Sequence, residues 1–381
     1  MTPVGLHSKM IKTMKLRGSL AALSMLVACA PAPSGAQVSD PSFATLIERL
    51  SEAGGYFDTD NLISNEAAYL QVMGALDRER VRGGAYVGVG PEQNFSYIAR
   101  IKPEVAYIID LRRDNMLLHL MFKAIFSEAT TRGEYLALLF GRPPPPGDVT
   151  RRGSSLSHIV AWIDTVPPSA GSRARAVERV QRRIGTFGVP LSIQDLERTR
   201  GFHRTFIASG LDLRFTSAGR GPPPFYPTYR QLALERDRSG HQAGFLAEDS
   251  TYGLVREMQL EDRIIPVVGD LAGSHALAAI GNDIRSKGLT VSAIYVSNVE
   301  FYLLGDGTFD RYAETLRQMP RDDRSVLIRS WFQRGRIHPH AVPGYLNTQV
   351  LQTFDAFVRG SVAGYQSYWD LATHEPISPR Y

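Results

Sequence analysis

"GGAYVGVGPEQNFSYIARIKPEVAYIIDLRRDN", Gly83 to Asn115, is the stretch on which the fold turns. GAYVGVG is a short apolar strand running into glycines. PEQNFSYIARI has helical spacing, with Pro91 suited to a first helical turn, where a missing N–H costs nothing. EVAYIID is a continuous apolar run, the pattern of a strand buried on both faces of a parallel sheet. DNMLLHLMFKAIFSEA, opened by Asp114, is a strongly apolar helix. Strand, glycine turn, helix, strand, helix is how a doubly wound sheet begins. Gly88 and Gly90 let the backbone turn tightly and approach a ligand without a Cβ clash. The helix after the turn aims its free N–H groups at it. Asp110 ends the second strand, 20 residues past Gly90, where a carboxylate accepts hydrogen bonds from ribose hydroxyls.

The same rhythm occurs on either side. Upstream, ISNEAAYLQVMGALDRER (Ile63 to Arg80) spaces Ala67, Leu70, Met73 and Leu76 as one helix, capped by Ser64 or Asn65. Downstream, DSTYGLVREMQLED predicts a helix, RIIPVVGDLAG a strand ending at Gly269 and Asp270, and SHALAAIGNDIRSKG a helix that Ser274 caps. LTVSAIYVSNVEFYLL predicts one long strand carrying Ser297, Asn298 and Glu300. GTFDRYAETLRQMP and SVLIRSWF follow as helix and strand.

Between the two halves the pattern breaks. GRPPPPGDV, VPPSAGS and GRGPPPFYP are proline-stiffened, and SRARAVERVQRRIG and SIQDLERTRGFHRTFIASG are helical stretches between them. Residues 130–247 therefore predict a helical insertion that covers the pocket. From Arg142 to Arg236 there are 15 arginines against 7 acids, in a chain whose formal charge is only +5. A surface of this kind suits an anionic envelope component such as lipid or lipopolysaccharide, or other phosphate groups. No nucleic-acid motif accompanies the charge, so no nucleic-acid partner is expected. The expected class is α/β, a Rossmann-like doubly wound, mostly parallel sheet with a helical insertion. Residues 61–129 form its first half and 248–381 its second.

The N-terminus carries an address. Residues 1–28 set Lys9, Lys12, Lys15 and Arg17 before the apolar run GSLAALSMLVA, the layout of a secretory signal too short to span a bilayer. The run ends in LVAC, which resembles the lipobox of bacterial lipoproteins. Cys29 is the only cysteine of the chain. The resemblance implies acylation of Cys29, a lipid anchor and, with Ala30 rather than aspartate following, the outer membrane. Residues 29–60 then read as a tether. With its cysteine acylated, the mature chain has no thiol chemistry.

VGVGPEQN…AYIIDLRRDN is similar to the first two motifs of class I S-adenosylmethionine-dependent methyltransferases. PVVGDLAG resembles their third-strand segment and YVSNVEFYL the end of their fourth. With ISNE, these segments also resemble a poorly characterised bacterial family of methyltransferase-like fold, some of whose members are lipoproteins. The resemblance implies a site for S-adenosylmethionine or another nucleoside-like ligand, lined by Gly88, Gly90, Asn94, Asp110, Asp270 and Ser297. Asn298 would orient a methyl acceptor, and Glu300, or else His119, would take its proton. Alternation along a strand puts Asn298 and Glu300 on one face. The chain departs from the pattern at Asn94, where a third glycine often sits, and at Tyr86, which precedes the turn in place of an acid. A nicotinamide cofactor would need G-x-G-x-x-G, and Phe95 holds the third glycine position; Arg112 and Arg113 would suit a phosphorylated ribose. S-adenosylmethionine is made in the cytoplasm and carries a fixed charge, so an exported chain leaves two readings open: a retained fold with a changed ligand, or a non-enzymatic envelope protein. His338-Pro339-His340 reads as a loop, and no metal is expected.

Overall fold

Apolar runs and capped helices fold as an α/β layer structure. The computed structural model describes residues 41–217, 220–333 and 335–379. The signal segment, Cys29 and the first part of the tether lie outside the described residues. The chain from Pro41 onward is one compact unit.

The elements run α1 (Phe43–Leu50), α2 (Met73–Arg78), β1 (Ala85–Gly88), α3 (Gln93–Ile101), β2 (Val105–Asp110) and α4 (Arg113–Glu128). Then come α5 (Arg132–Leu139), α6 (Gly147–Thr150), α7 (Leu156–Thr165), α8 (Ala170–Ile184), α9 (Ile193–Ser209) and α10 (Tyr229–Ala233). The second half comprises α11 (Asp249–Leu260), β3 (Ile264–Val268), α12 (Ala276–Ser286), β4 (Val291–Ser297), α13 (Val299–Gly305) and α14 (Phe309–Arg317). It closes with β5 (Arg321–Phe332), β6 (Asn347–Thr353), α15 (Phe354–Ala363) and α16 (Tyr368–Thr373).

The six strands order β3-β2-β1-β4-β5-β6. All neighbours are parallel except β5 and β6, which pair antiparallel. This is the Rossmann-like doubly wound order, whose direction reverses between β1 and β4. Ligands in such sheets lie beyond the strands' carboxyl ends at that reversal. β1 to β4 are buried along nearly their whole length, as continuous apolar strands covered on both faces must be. Pro266 sits in β3, an edge strand, where its missing N–H breaks no ladder.

Four sequence expectations change. From Phe43 on, the tether stretch is folded: Phe43, Leu46, Ile47 and Leu50 of α1 are buried. The single helix expected over Ile63 to Arg80 is a 3-10 turn at Tyr69–Val72 leading into the short α2. Ser64 Oγ instead accepts the Glu66 N–H at 3.1 Å, a local turn that competes with helix and points Glu66 inward. The long strand expected through Glu300 ends at Ser297, whose φ of 53° is left-handed, and α13 begins at Val299. Helix α12 is capped by a residue from the other end of the chain, not by Ser274.

Candidate functional site

The β1–α3 turn is built as the glycines require, yet it is filled from within. A Cβ on Gly88 would lie 2.0 Å from Asn94 Oδ1 and 2.7 Å from the Tyr86 hydroxyl. Gly88 thus makes room for the chain's own side chains. Asn94 is fully buried; its Oδ1 accepts from Tyr86 at 2.8 Å, and its Nδ2 donates to the carbonyls of Val89 at 2.9 Å and Pro91 at 2.7 Å. Gly90 has φ 81°, and its carbonyl accepts from His119 Nε2 at 2.9 Å. Burial pushes His119 down to about 4, opposed by that carbonyl, so its ring is neutral and holds the turn.

Asp110 stands at the end of β2 as expected, but its carboxylate is engaged. Arg112 donates from its backbone N (2.9 Å) and Nε (3.1 Å) to Oδ1, and from Nη2 (2.9 Å) to Oδ2. The remaining Arg112 nitrogen, Nη1, donates to the carbonyls of Thr59 and Asp60, both at 3.1 Å. Residues 51–61 are therefore strapped across the ends of β2 and β3. Glu52 N donates to Val268 O (2.9 Å) and Gly55 N to Leu111 O (2.8 Å). Glu52 then reaches the start of α12: Oε1 accepts from Asp270 N at 2.9 Å and Oε2 from His275 N at 3.0 Å. A carboxylate at a helix N-terminus satisfies orphan donors and meets the positive end of the helix dipole. A Cβ on Gly273 would lie 2.1 Å from Glu52 Oε1, so that glycine makes room for the acid. Asp270 Oδ1 accepts from Ala272 N at 2.9 Å.

At the end of β4, Ser297 Oγ donates to Glu66, as do the Tyr295 hydroxyl at 2.8 Å and Gln349 Nε2. Gln93 Nε2 donates to the Tyr295 oxygen at 3.1 Å. Glu66 is buried, and that burial raises its pKa against the donors that lower it. Asn298 stands at the N-cap position of α13 without a side-chain cap bond, and its Oδ1 accepts from Ser297 Oγ at 3.3 Å. The alternation that placed Glu300 beside it fails, because Glu300 is on a helix. Glu300 is fully buried and paired with Arg329 of β5, through Nε at 2.6 Å and Nη2 at 3.2 Å, and accepts from Tyr312 OH at 3.0 Å. It is a structural anion, with no free edge for a proton transfer.

A second feature lies where the insertion meets this turn. Ser64, Tyr69, Glu92, Gln93, Ser96 and Tyr229 face a buried cavity of about 20 Å³, room for one water-sized group. Among the described residues, Glu92 Oε2, Gln93 Oε1 and the Tyr229 hydroxyl find no hydrogen-bond partner. Burial raises Glu92 to about 8, so it is protonated at neutral pH.

In the insertion, α8 and α9 form an antiparallel pair with an open groove of about 750 Å³ between them. Arg173 and Arg182 of α8 and Arg200 and Arg204 of α9 line it, against one acid, Glu178; Val177, Leu196 and Ile207 supply apolar surface. Among the described residues no group of three or more His, Cys, Asp or Glu could hold a metal ion. No described helix is long and apolar enough to cross a membrane.

Sequence reasoning brought Gly88, Gly90, Asn94, Asp110, Asp270, Ser297 and Asn298 to one rim of the sheet, and the structure sets them there. It missed Glu52, Glu66 and Glu92. Glu66 stands in the ISNE segment and Glu92 directly follows Pro91 in the glycine turn, so both lie in segments that the sequence singles out. Glu52 does not.

Fold and rim together define a Rossmann-like α/β protein with a self-filled switch point. The chain belongs to the family described as a domain of unknown function, DUF7790, whose model matches residues 61–141 and 215–367. No curated protein matches the chain. The family match omits residues 142–214, which hold α6 to α9.

Proposed function

We propose that this protein is a lipid-anchored cell-envelope protein, held through Cys29 at the outer membrane, whose methyltransferase-like domain is a scaffold. Its working surface is the arginine-rich insertion, which engages an anionic envelope component. One observation carries the reading. The groups that would hold S-adenosylmethionine are used by the chain itself: Asp110 by Arg112, the start of α12 by Glu52, and the space over Gly88 by Asn94. The residues present do not fit that cofactor.

The test has two arms. Cys29→Ser should release the protein from membranes and abolish incorporation of labelled fatty acid; unchanged retention would remove the anchor. Calorimetry of the purified chain with S-adenosylmethionine should give no heat of binding, and micromolar affinity would overturn the scaffold reading. A second reading keeps a nucleoside-like ligand, admitted once residues 51–61 withdraw. It is favoured by the side chain that pins the strap to α12 being a single carboxylate, that of Glu52.

A further inference from the structure

The groove between α8 and α9 is amphipathic in a specific order. Gln181 Nε2 donates to Thr199 Oγ1 at 2.9 Å, which fixes the register of the two helices. Both outer ends return to one place: Ser172 Oγ donates to Gly141 O at 2.8 Å, and a Cβ on Gly210 would sit 3.5 Å from Arg142 Nη2. Eight residues from Gln181 toward that end is Arg173, and eight from Thr199 is Ile207. At about 1.5 Å rise per residue, Arg204 lies within one turn of the level of Arg173. Neither arginine has an acidic partner among the described residues, whereas Arg182 and Arg200 pair with Glu178 and Glu197 on their own helices. The basic end of the groove thus has two uncommitted guanidinium groups. Val177 lines the groove one turn in from Arg173, and Leu196 lines it on the turn side of Thr199.

That turn also marks where the N-terminal segment joins the domain. Phe43 of α1 stacks edge-on with Phe187 of the turn at 6.4 Å, and a Cβ on Gly188 would lie 3.8 Å from Ala44 Cβ. From Cys29 to Pro41 is 12 residues, a reach of at most about 40 Å when fully extended. A chain acylated at Cys29 therefore keeps the turn end of this groove near the membrane on a tether of about that reach, with Arg173 about 18 Å farther along α8.

We infer that the α8–α9 groove binds an anionic phospholipid of the membrane to which the chain is anchored. Its phosphate lies between Arg173 and Arg204, and its acyl chain runs over Val177 and Leu196. A guanidinium presents paired N–H donors that match phosphate geometry, and the groove's volume is that of small-molecule sites. The inference rests on the reading of an anchored chain that works through its insertion.

The test uses the Cys29→Ser chain, so that the anchor makes no contribution, with vesicles of phosphatidylglycerol in phosphatidylcholine and of phosphatidylcholine alone. Binding is expected to the first only. Arg173→Glu/Arg204→Glu should weaken it at least tenfold with an unchanged melting temperature, and Arg173→Lys/Arg204→Lys should recover part of it. Arg151→Glu/Arg311→Glu, which makes the same change of net charge at exposed arginines elsewhere, should leave binding within twofold. Equal loss in both glutamate pairs would overturn the site in favour of general basicity. Calorimetric binding of inorganic phosphate with no binding to phosphatidylglycerol vesicles would show a phosphate site without a lipid and overturn the proposal. Val177→Asp separates the floor from the rim: undiminished vesicle binding in that variant would also refute the lipid. Failure here with Cys29-dependent retention intact would leave the anchored reading standing.

Discussion

Replacing Glu52 by alanine removes a carboxylate from the start of α12 and leaves the amides of Asp270 and His275 without their acceptor. Loss of an N-cap acceptor costs about 0.5–2 kcal/mol, and loss of the charge at the helix dipole about 0.3–1 kcal/mol more. Glu52 also anchors the strap whose backbone bonds to Val268 and Leu111 cross the sheet ends, so the total expected is about 2–3 kcal/mol, within the range for hydrogen bonds to charged groups. With about 2.1 cal/mol/K per residue of unfolding entropy over roughly 340 residues, this lowers Tm by about 3–4 °C. Glu52→Gln keeps an acceptor and should lose about half as much. Urea titrations give the free energies, and amide exchange at Asp270 and His275 gives the local effect. A free-energy change under about 0.5 kcal/mol with protected amides would refute the strap as a stabilising contact. Calorimetry of Glu52→Ala with adenosine compounds then separates the two functional readings: affinity gained only in the variant means a covered pocket, and none means a scaffold.

Glu92 predicts a pH dependence of opposite sign to that of most carboxylates. Its folded pKa of about 8 exceeds its ordinary 4.5, so its contribution is fully present below about pH 4.5 and is lost as pH rises to 8. Between pH 6.5 and 8 the wild type should lose about 2 kcal/mol relative to Glu92→Gln, at about 1.4 kcal/mol per unit; parallel urea-derived curves would refute it. Glu300→Gln should cost about 3–5 kcal/mol by leaving Arg329 buried and uncompensated, and pairing it with Arg329→Met should restore part of that loss in the same urea assay. A strictly additive double variant would sink the pair as a coupled unit.

The sheet was legible because parallel strands buried on both faces must be continuous apolar runs, as VAYIID and IIPVV are. The glycine turn and its acid were legible for a similar reason: each has a backbone or positional cause that a short segment displays. The occupants of the rim were not. Arg112 lies two residues from Asp110 and fitted a phosphorylated ribose equally well by spacing. The carbonyls of Thr59 and Asp60, about fifty residues away, hold it turned onto Asp110. Glu52 and the start of α12 meet through the closed sheet alone. The end of β4 failed for a local cause: Ser297 adopts a left-handed φ, which non-glycine residues rarely do.

Helix α4 has a consequence for descent. Nearly every residue from Asn115 to Phe126 is buried, because α8 and α9 lie over the side that would otherwise meet water: Phe122 packs on Phe206 at 6.0 Å, and Arg113 and Glu128 bond Asp195 and Arg179. The segment that the family model skips is thus the lid of a helix that the model includes. Such a segment is not gained or shed by one event. A lineage lacking residues 142–214 must carry polar side chains on the outer face of this helix, or roof it with something else. Inheritance of the insertion and of an α4 buried on every side should therefore run together.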